Sequence, residues 1–241
     1  MSDTQDLCGL FGKVPQQPDF VNHHLPRAFQ ETWHAWLRAG IGVSQDHLQE
    51  DWQNVYLTSP VWRFALGPGV CCGESVVGVL IPSIDEIGRC FPLAVAHAGD
   101  HAPWAAYLSG APWFDAAEEV ALAALSEHVR YSQLVERLEG LPLPEFEPLP
   151  AYRSAGNPDC VGRVVSLADG AEPRDTALGL LDHAWGRLLG GYSLWWTTGS
   201  DYVEESFVVS PGLPSAGLLT AFLDGAWSDR GWALARPASG E

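Results

Sequence analysis

The chain has 241 residues, of which 46 % are hydrophobic and 11 % aromatic, so it can bury a sizeable core and is not globally disordered. Thirty acidic residues against 13 basic ones give a formal net charge of -17 at pH 7, which argues against a nucleic-acid binder and against an anionic membrane surface as a partner. The expected partners of such an acidic chain are basic proteins or basic patches on scaffold proteins.

The first half of the chain predicts a strand, a helix and a three-stranded meander. Residues 7–14 alternate loosely and end at Pro15, which is typical of a strand, and residues 15–24 have the composition of a loop. Pro26 opens a helix that is predicted to end at Gly40, and a short helical piece is expected over 44–53.

Three apolar runs then follow in quick succession, over 61–66, 76–81 and 91–96. The connections between them are too short for parallel crossovers, so the runs predict antiparallel strands. The nearly continuous apolar character of 76–81 favours a central strand that is covered on both faces.

The second half begins with a predicted helix over 112–138 and a segment, 141–150, in which four prolines exclude both a helix and a central strand. The remaining predicted elements are an uncertain strand over 161–167, a helix over 174–189, strands over 193–198 and 206–209, and a helix over 214–223. These elements predict an α/β three-layer sandwich, with a central, mainly antiparallel (mixed) sheet and helices on both faces. We expect a single domain over 1–241, with 141–150 as a surface connection between two subregions.

Cysteine usage and the N-terminal residues predict a reduced, cytoplasmic protein. Five cysteines, including the adjacent Cys71 and Cys72, lack the spacing of a disulfide framework or of a CxxC metal motif. The first residues have neither the basic region nor the apolar run of a signal peptide, and the longest apolar stretch is too short to cross a bilayer.

Catalytic and cofactor motifs are weak in this sequence. Cys71 or Cys72 at a Gly-rich turn is a possible nucleophile with His97 or His101 as its base, but small residues at a turn are the simpler interpretation. The i, i+4 spacing of His97 and His101 would suit a metal on a helix, but Gly99 and Pro103 are expected to break a helix there. No phosphate-binding Gly-rich motif is present, so we expect no cofactor, no metal and no enzymatic activity.

Polar or amphipathic residues within apolar surroundings are the better candidates for a site. Asp85 and Arg89 can pair across a turn, which would either pin the loop or present it to a partner. Trp195 and Trp196 point to opposite faces of their predicted strand. One of them is therefore a core residue, and the other is either covered by a helix or an exposed anchor for a partner.

Several segments together resemble the TagF (ImpM-like) family of proteins associated with type VI secretion. The most specific is GVLIPSIDEIGRCFPL at 78–93; GLFGKVPQQPDFV at 9–21, the helix FQETWHAWL at 29–37 and the strand SLWWT at 193–197 also resemble family segments. A late Gly-Leu-Pro turn at 212–214 is similar too, so the resemblance spans about residues 9 to 223.

The resemblance implies a three-layer α/β sandwich and a cytoplasmic regulator that acts after translation to hold type VI secretion inactive. In at least some bacteria such proteins act through the forkhead-associated scaffold protein, which we therefore expect as the partner. The expected contact residues are Asp85, Arg89, Trp195 and Trp196, with Lys13 and Asp19 behind them. Two alternatives stay open: a domain that senses a small ligand, with Arg89 as its anion-pairing group, and a cysteine-dependent hydrolase.

Overall fold

The central sheet of the protein has seven strands in the order β2-β1-β5-β4-β3-β6-β7, as seen in a computed structural model that describes residues 7–126, 128–152, 164–165 and 172–235. All strand pairs within these residues are antiparallel, so the sheet is not mixed there. The strands are β1 (Gly9–Gly12), β2 (Val21–His23), β3 (Trp62–Leu66), β4 (Ser75–Ile81), β5 (Leu93–Gly99), β6 (Tyr192–Thr197) and β7 (Ser206–Pro211).

Helices cover both faces of this sheet, which confirms the predicted α/β sandwich. They are α1 (Arg27–Leu48), α2 (Trp52–Leu57), α3 (Pro103–Ser109), α4 (Ala111–Ala124), α5 (Tyr131–Glu139), α6 (Pro173–Leu189) and α7 (Ala221–Asp224). One hydrophobic cluster joins α1 and α7 to one face. A second joins α3, α4 and α5 to the other face, with α6 packed against it.

Strand β4 shows why the sheet needs two cores. All seven of its residues are buried. Val76 and Leu80 pack into the α1 side, whereas Val77, Val79 and Ile81 pack into the α4 side. The prediction of a central strand covered on both faces is therefore confirmed, because successive side chains of a strand point to opposite faces.

The predicted end of the first helix at Gly40 is wrong, since α1 continues to Leu48. A Cβ atom at position 40 would lie 2.1 Å from Cδ2 of Leu219, so Gly40 is a point of close approach inside the helix rather than its end. Glycine costs about 1 kcal/mol in a helix interior, which tertiary packing can offset. The helical piece predicted over 44–53 divides between the end of α1, a 3-10 helix at Gln49–Asp51 and the start of α2.

The helix predicted over 112–138 is two helices, because α4 ends at Ala124 and α5 begins at Tyr131. Gln133 accepts a hydrogen bond from the backbone N–H of Arg130 at 3.0 Å, which caps the second helix. Two elements were missed: α3, which begins at Pro103, and β2, a three-residue edge strand.

The C-terminal part returns to the same sheet after residues 141–150, which contain neither helix nor strand, as predicted. Strand β6 pairs with β3, and β7 pairs with β6. The helix predicted over 214–223 is instead a 3-10 turn at Ala216–Leu218 followed by α7, and the strand predicted over 161–167 lies mostly outside the described residues. None of the helices described combines the length and apolar character needed to cross a bilayer.

Candidate functional site

The connection between β4 and β5 folds into a tight turn that projects from the end of the sheet. Ile84 and Cys90 form an antiparallel bridge at its base. The backbone N–H of Asp85 donates to the carbonyl of Arg89 at 3.1 Å, so the chain reverses between them. Gly88 has a φ of +82°, a conformation that side chains other than glycine rarely adopt, and this explains the glycine at that position.

Asp85 is the hydrogen-bonding centre of this turn, and its side chain has 0 % exposed surface. Its Oδ2 accepts from Nζ of Lys13 at 2.5 Å and from Nε of Arg89 at 2.6 Å. Its Oδ1 accepts from the backbone N–H groups of Ile87 at 3.1 Å and Arg89 at 2.8 Å. The predicted pairing of Asp85 with Arg89 is confirmed, and Lys13 proves to be a second cationic partner.

The electrostatics of Asp85 follow from these four donors. Burial by itself would raise the pKa of Asp85, but the hydrogen bonds from Lys13 and Arg89 outweigh burial and hold that pKa well below its usual range. The carboxylate therefore stays ionised whenever the protein is folded near neutral pH. The two cations Lys13 and Arg89 therefore share one buried carboxylate, and the exposed Glu86 carboxylate balances the remaining positive charge of the turn.

A second set of hydrogen bonds ties the turn to β1 and to α2. Oγ of Ser83 donates to the carbonyl of Lys13 at 2.8 Å. The hydroxyl of Tyr56 donates to the carbonyl of Ser83 at 2.9 Å and accepts from its N–H at 3.0 Å. Burial raises the pKa of Tyr56, so its hydroxyl keeps the proton that it donates here. The base of the turn is therefore fixed from two directions.

The loop over 15–20 lies against this turn and shares its outer surface. Nη2 of Arg89 donates to the carbonyl of Pro18 at 2.6 Å, and the backbone N–H of Glu86 donates to the carbonyl of Gln17 at 3.3 Å. We call the exposed residues that these contacts bring together the loop-tip surface. It consists of Asp19, Phe20, Glu86, Ile87 and Arg89.

The side chains of the loop-tip surface are largely exposed, although Asp85, which holds the turn, is buried. Ile87 is 68 % exposed and Phe20 is 40 % exposed, and the Arg89 side chain is 56 % exposed. Phe20 is held by an edge-on contact with Phe91, with ring centroids 4.7 Å apart, and the Lys13 ammonium lies 5.2 Å from the Phe20 ring centroid. Among the described residues, the Asp19 carboxylate has no hydrogen bond or ion pair.

Trp195 and Trp196 point to opposite faces of β6, as predicted, but neither lies near the loop-tip surface. Trp195 has 0 % exposure and stacks on Trp33, with centroids 5.9 Å apart. Its ring therefore lies wholly in the core, which is one of the two interpretations that the sequence left open. Trp196 is only partly buried, against Phe114 at 4.8 Å and Tyr107 at 5.2 Å.

The cysteine and histidine candidates do not form a nucleophile with its base. Burial, and then the neighbouring Cys72, raise the pKa of Cys71 to about 12, and burial also raises the pKa of Cys72. Within the described residues neither thiol has a hydrogen bond to an imidazole. His97 and His101 approach each other, with Nδ1 and Nε2 2.9 Å apart. In the same part of the chain no three His, Cys, Asp or Glu side chains are grouped as ligands for a metal ion.

Sequence reasoning missed Ser83, Tyr56 and Phe20 as parts of this site. Ser83 lies in the 78–93 segment, two residues before Asp85, and Phe20 lies in the 9–21 segment, directly after Asp19. Their proximity in sequence to predicted site residues could have identified them. Tyr56 carried no such signal, because its helix was predicted to end before it.

Comparisons with known proteins identify a family and a similar fold. The family model of the TagF N-terminal domain, described as type VI secretion system-associated, matches residues 9–141, which include the whole loop-tip surface. The chain is also similar to the crystal structure of PA0076 from Pseudomonas aeruginosa PAO1, with a TM-score of 0.79, 33 % sequence identity and coverage of 95 % of this chain and 97 % of that one. No curated protein matches the sequence.

Proposed function

Since the chain belongs to the TagF family of type VI secretion-associated proteins, we propose that it is a cytoplasmic, non-enzymatic repressor that acts on the secretion apparatus after translation. Its partner in this proposal is the forkhead-associated scaffold protein that the family resemblance implies. Binding would sequester the scaffold and compete with assembly. The raised pKa values of the Cys71 and Cys72 thiols argue against the alternative of a cysteine-dependent hydrolase, because the thiolate is the form that attacks.

The observation that carries the proposal is a fully buried carboxylate beneath an exposed tip that combines apolar and charged side chains. Asp85 fixes the turn through four donors, while Ile87 and Arg89 extend into solvent from that turn. A surface fixed before binding loses less conformational entropy in the complex. Ile87 and Phe20 add two exposed apolar side chains to the same loop-tip surface, which supports contact with another polypeptide.

The alternative of a small-ligand sensor with Arg89 as its anion-binding group is less favoured by the contacts. The Arg89 guanidinium is already engaged by the Asp85 carboxylate and by the Pro18 carbonyl. An anion would have to compete with a buried carboxylate for the same charge.

A direct binding measurement tests the proposal. The purified protein and the purified scaffold are titrated by calorimetry, first with the wild-type chain and then with Ile87→Asp and Arg89→Glu. Loss of an anchor at the centre of an interface weakens binding by about tenfold or more. The matched control is Arg38→Glu, which makes the same charge change at an exposed position of α1. Absence of binding by the wild-type protein would refute the proposed partner, and equal binding by all variants would refute the proposed surface.

A further inference from the structure

A cavity of about 260 Å³ lies near the β7 edge of the sheet, away from the loop-tip surface. It is far larger than the roughly 10–15 Å³ that a single water needs. Its walls come from β3, β6 and β7 and from the facing helices α3 and α4. The residues that matter for its chemistry are Arg63, Tyr107, Glu118, Trp196, Glu205 and Phe207.

The aromatic wall of this cavity follows from the strand register. Trp196 pairs with Arg63 on one side and with Phe207 on the other, so the three side chains form a row across one face of the sheet. Tyr107 of α3 closes the row, with its ring centroid 4.5 Å from that of Phe207 and 5.2 Å from that of Trp196. Tyr107 is 36 % exposed and Phe207 40 %, so both residues are in part open to solvent.

The charge of the cavity is negative although an arginine lines it. Nη2 of Arg63 contacts Oδ1 of Asp115 at 2.7 Å and Oε2 of Glu118 at 2.9 Å, so its positive charge is already more than balanced. Glu205 is exposed, and within the part of the chain that the structure describes its carboxylate has no hydrogen bond or ion pair. Among the residues that line the cavity, the Arg63 guanidinium stands against the carboxylates of Glu118 and Glu205, which leaves a net charge of -1, and Asp115 adds a further negative charge from outside the lining.

Aromatic faces beside uncompensated carboxylates are suited to a cation with a flat or apolar body. A guanidinium stacks on rings and pairs with carboxylates at the same time, which an ammonium does less well. The net charge of -17 on the whole chain also favours a basic partner. We propose that this cavity binds a basic side chain, arginine in preference to lysine, that projects from the polypeptide partner. The inference rests on the proposed function only in taking that partner to be a polypeptide.

The chemistry of the cavity is tested without any partner protein. Acetyl-arginine amide is titrated into the ¹⁵N-labelled protein, and the indole N–H signal of Trp196 is followed by NMR, with acetyl-citrulline amide as the uncharged isostere. We expect a saturable shift of the Trp196 signal with the arginine compound and a response at least about tenfold weaker with citrulline. Equal responses to both compounds, or arginine shifts spread over the acidic surface without saturation at Trp196, would overturn the proposal.

Reversing the charge of one residue at the rim of the cavity tests whether the arginine compound binds in the cavity or on the acidic surface around it. Glu205→Lys is compared with Glu204→Lys, which makes the same change at the adjacent exposed residue outside the cavity. The first variant should lose the arginine response by about tenfold or more, and the second should keep it within about twofold. Similar losses in both variants would show a general charge effect and no site.

Scaffold binding by the same two variants distinguishes the inference from the proposed function. If the wild-type protein binds the scaffold and only Glu205→Lys loses this binding, the result supports both the proposed function and the cavity as a docking site. Scaffold binding that is equal in the wild type and both variants contradicts the cavity as a docking site and leaves the proposed function standing. Failure of the wild type to bind the scaffold contradicts the proposed function, and the arginine titration then decides on the cavity alone.

Discussion

Nζ of Lys13 and Oδ2 of Asp85 lie 2.5 Å apart although the two residues are 72 positions apart in the chain. Both side chains are buried, with 8 % and 0 % exposed surface. The contact joins the end of β1 to the turn between β4 and β5. A buried charge is stable only when it is paired, so each residue depends on the other.

Replacement of Asp85 by alanine should destabilise the protein strongly. The change leaves the Lys13 ammonium buried without its carboxylate and removes the acceptor of two backbone N–H groups. We expect a loss of about 3 kcal/mol in the free energy of unfolding, measured by urea denaturation. Asp19→Ala removes an exposed carboxylate from the neighbouring loop and should change stability by less than about 0.5 kcal/mol. A loss below about 1 kcal/mol for Asp85→Ala would contradict this account of the turn.

Replacement of Arg89 by alanine should cost much less stability. Its side chain is 56 % exposed, and Asp85 retains Lys13 and its two backbone donors. We expect a decrease of about 1 kcal/mol or less by the same denaturation experiment, together with weaker binding of the scaffold. If Arg89→Ala lowers the free energy of unfolding as much as Asp85→Ala does, Arg89 is a structural residue and is not a candidate for contact with the scaffold.

The low pKa of Asp85 predicts a pH dependence of stability with a definite sign. A carboxyl whose pKa is lower in the folded protein than in the unfolded chain stabilises the fold above the unfolded pKa, about 3.9 for aspartate, and loses that contribution as the pH falls towards the folded pKa. The stability difference between the wild type and Asp85→Asn should therefore be largest near pH 6 and shrink below about pH 4. Carboxyl groups other than Asp85 titrate in both proteins and cancel in the difference. A difference that stays constant or grows on acidification would count against an ionised, buried Asp85.

Two glycines of α1 provide a matched test of the packing against the C-terminal part. A Cβ at Gly40 would lie 2.1 Å from Cδ2 of Leu219, whereas a Cβ at Gly42 would have no neighbour within 4 Å. Gly42→Ala should raise the free energy of unfolding by about 0.5–1 kcal/mol through helix propensity. Gly40→Ala should lower it by about 1–3 kcal/mol in spite of the same propensity, because the added methyl group displaces Leu219. A stabilised Gly40→Ala protein would show that this contact is loose.

Much of the architecture could be predicted from local patterns, and the failures have physical causes. The apolar runs around β3, β4 and β5 predicted antiparallel central strands because short connections leave no other arrangement. Gly40 misled the helix prediction, since the reason for a glycine there is Leu219, nearly 180 residues away along the chain. Pro103 was interpreted as a helix breaker, but proline is also favoured at a helix start.

The site was only partly predictable for similar reasons. The spacing of Asp85 and Arg89 indicated a pair within one turn, and that pair is present. Spacing could not show that Lys13 reaches the same carboxylate or that Tyr56 supports Ser83, because both contacts join segments far apart in sequence. The sequence could not show which of Trp195 and Trp196 is fully buried. That difference depends on the helices that pack on each face of the sheet.

A secretion assay in the native bacterium tests the proposed repression most directly. Deleting the protein should raise type VI secretion, and returning the wild-type chain should suppress it again. Returning the double variant Ile87→Asp, Arg89→Glu at the same protein level should leave secretion raised, while Arg38→Glu should suppress it as the wild type does. Unchanged secretion after deletion, or full suppression by the double variant, would contradict the account.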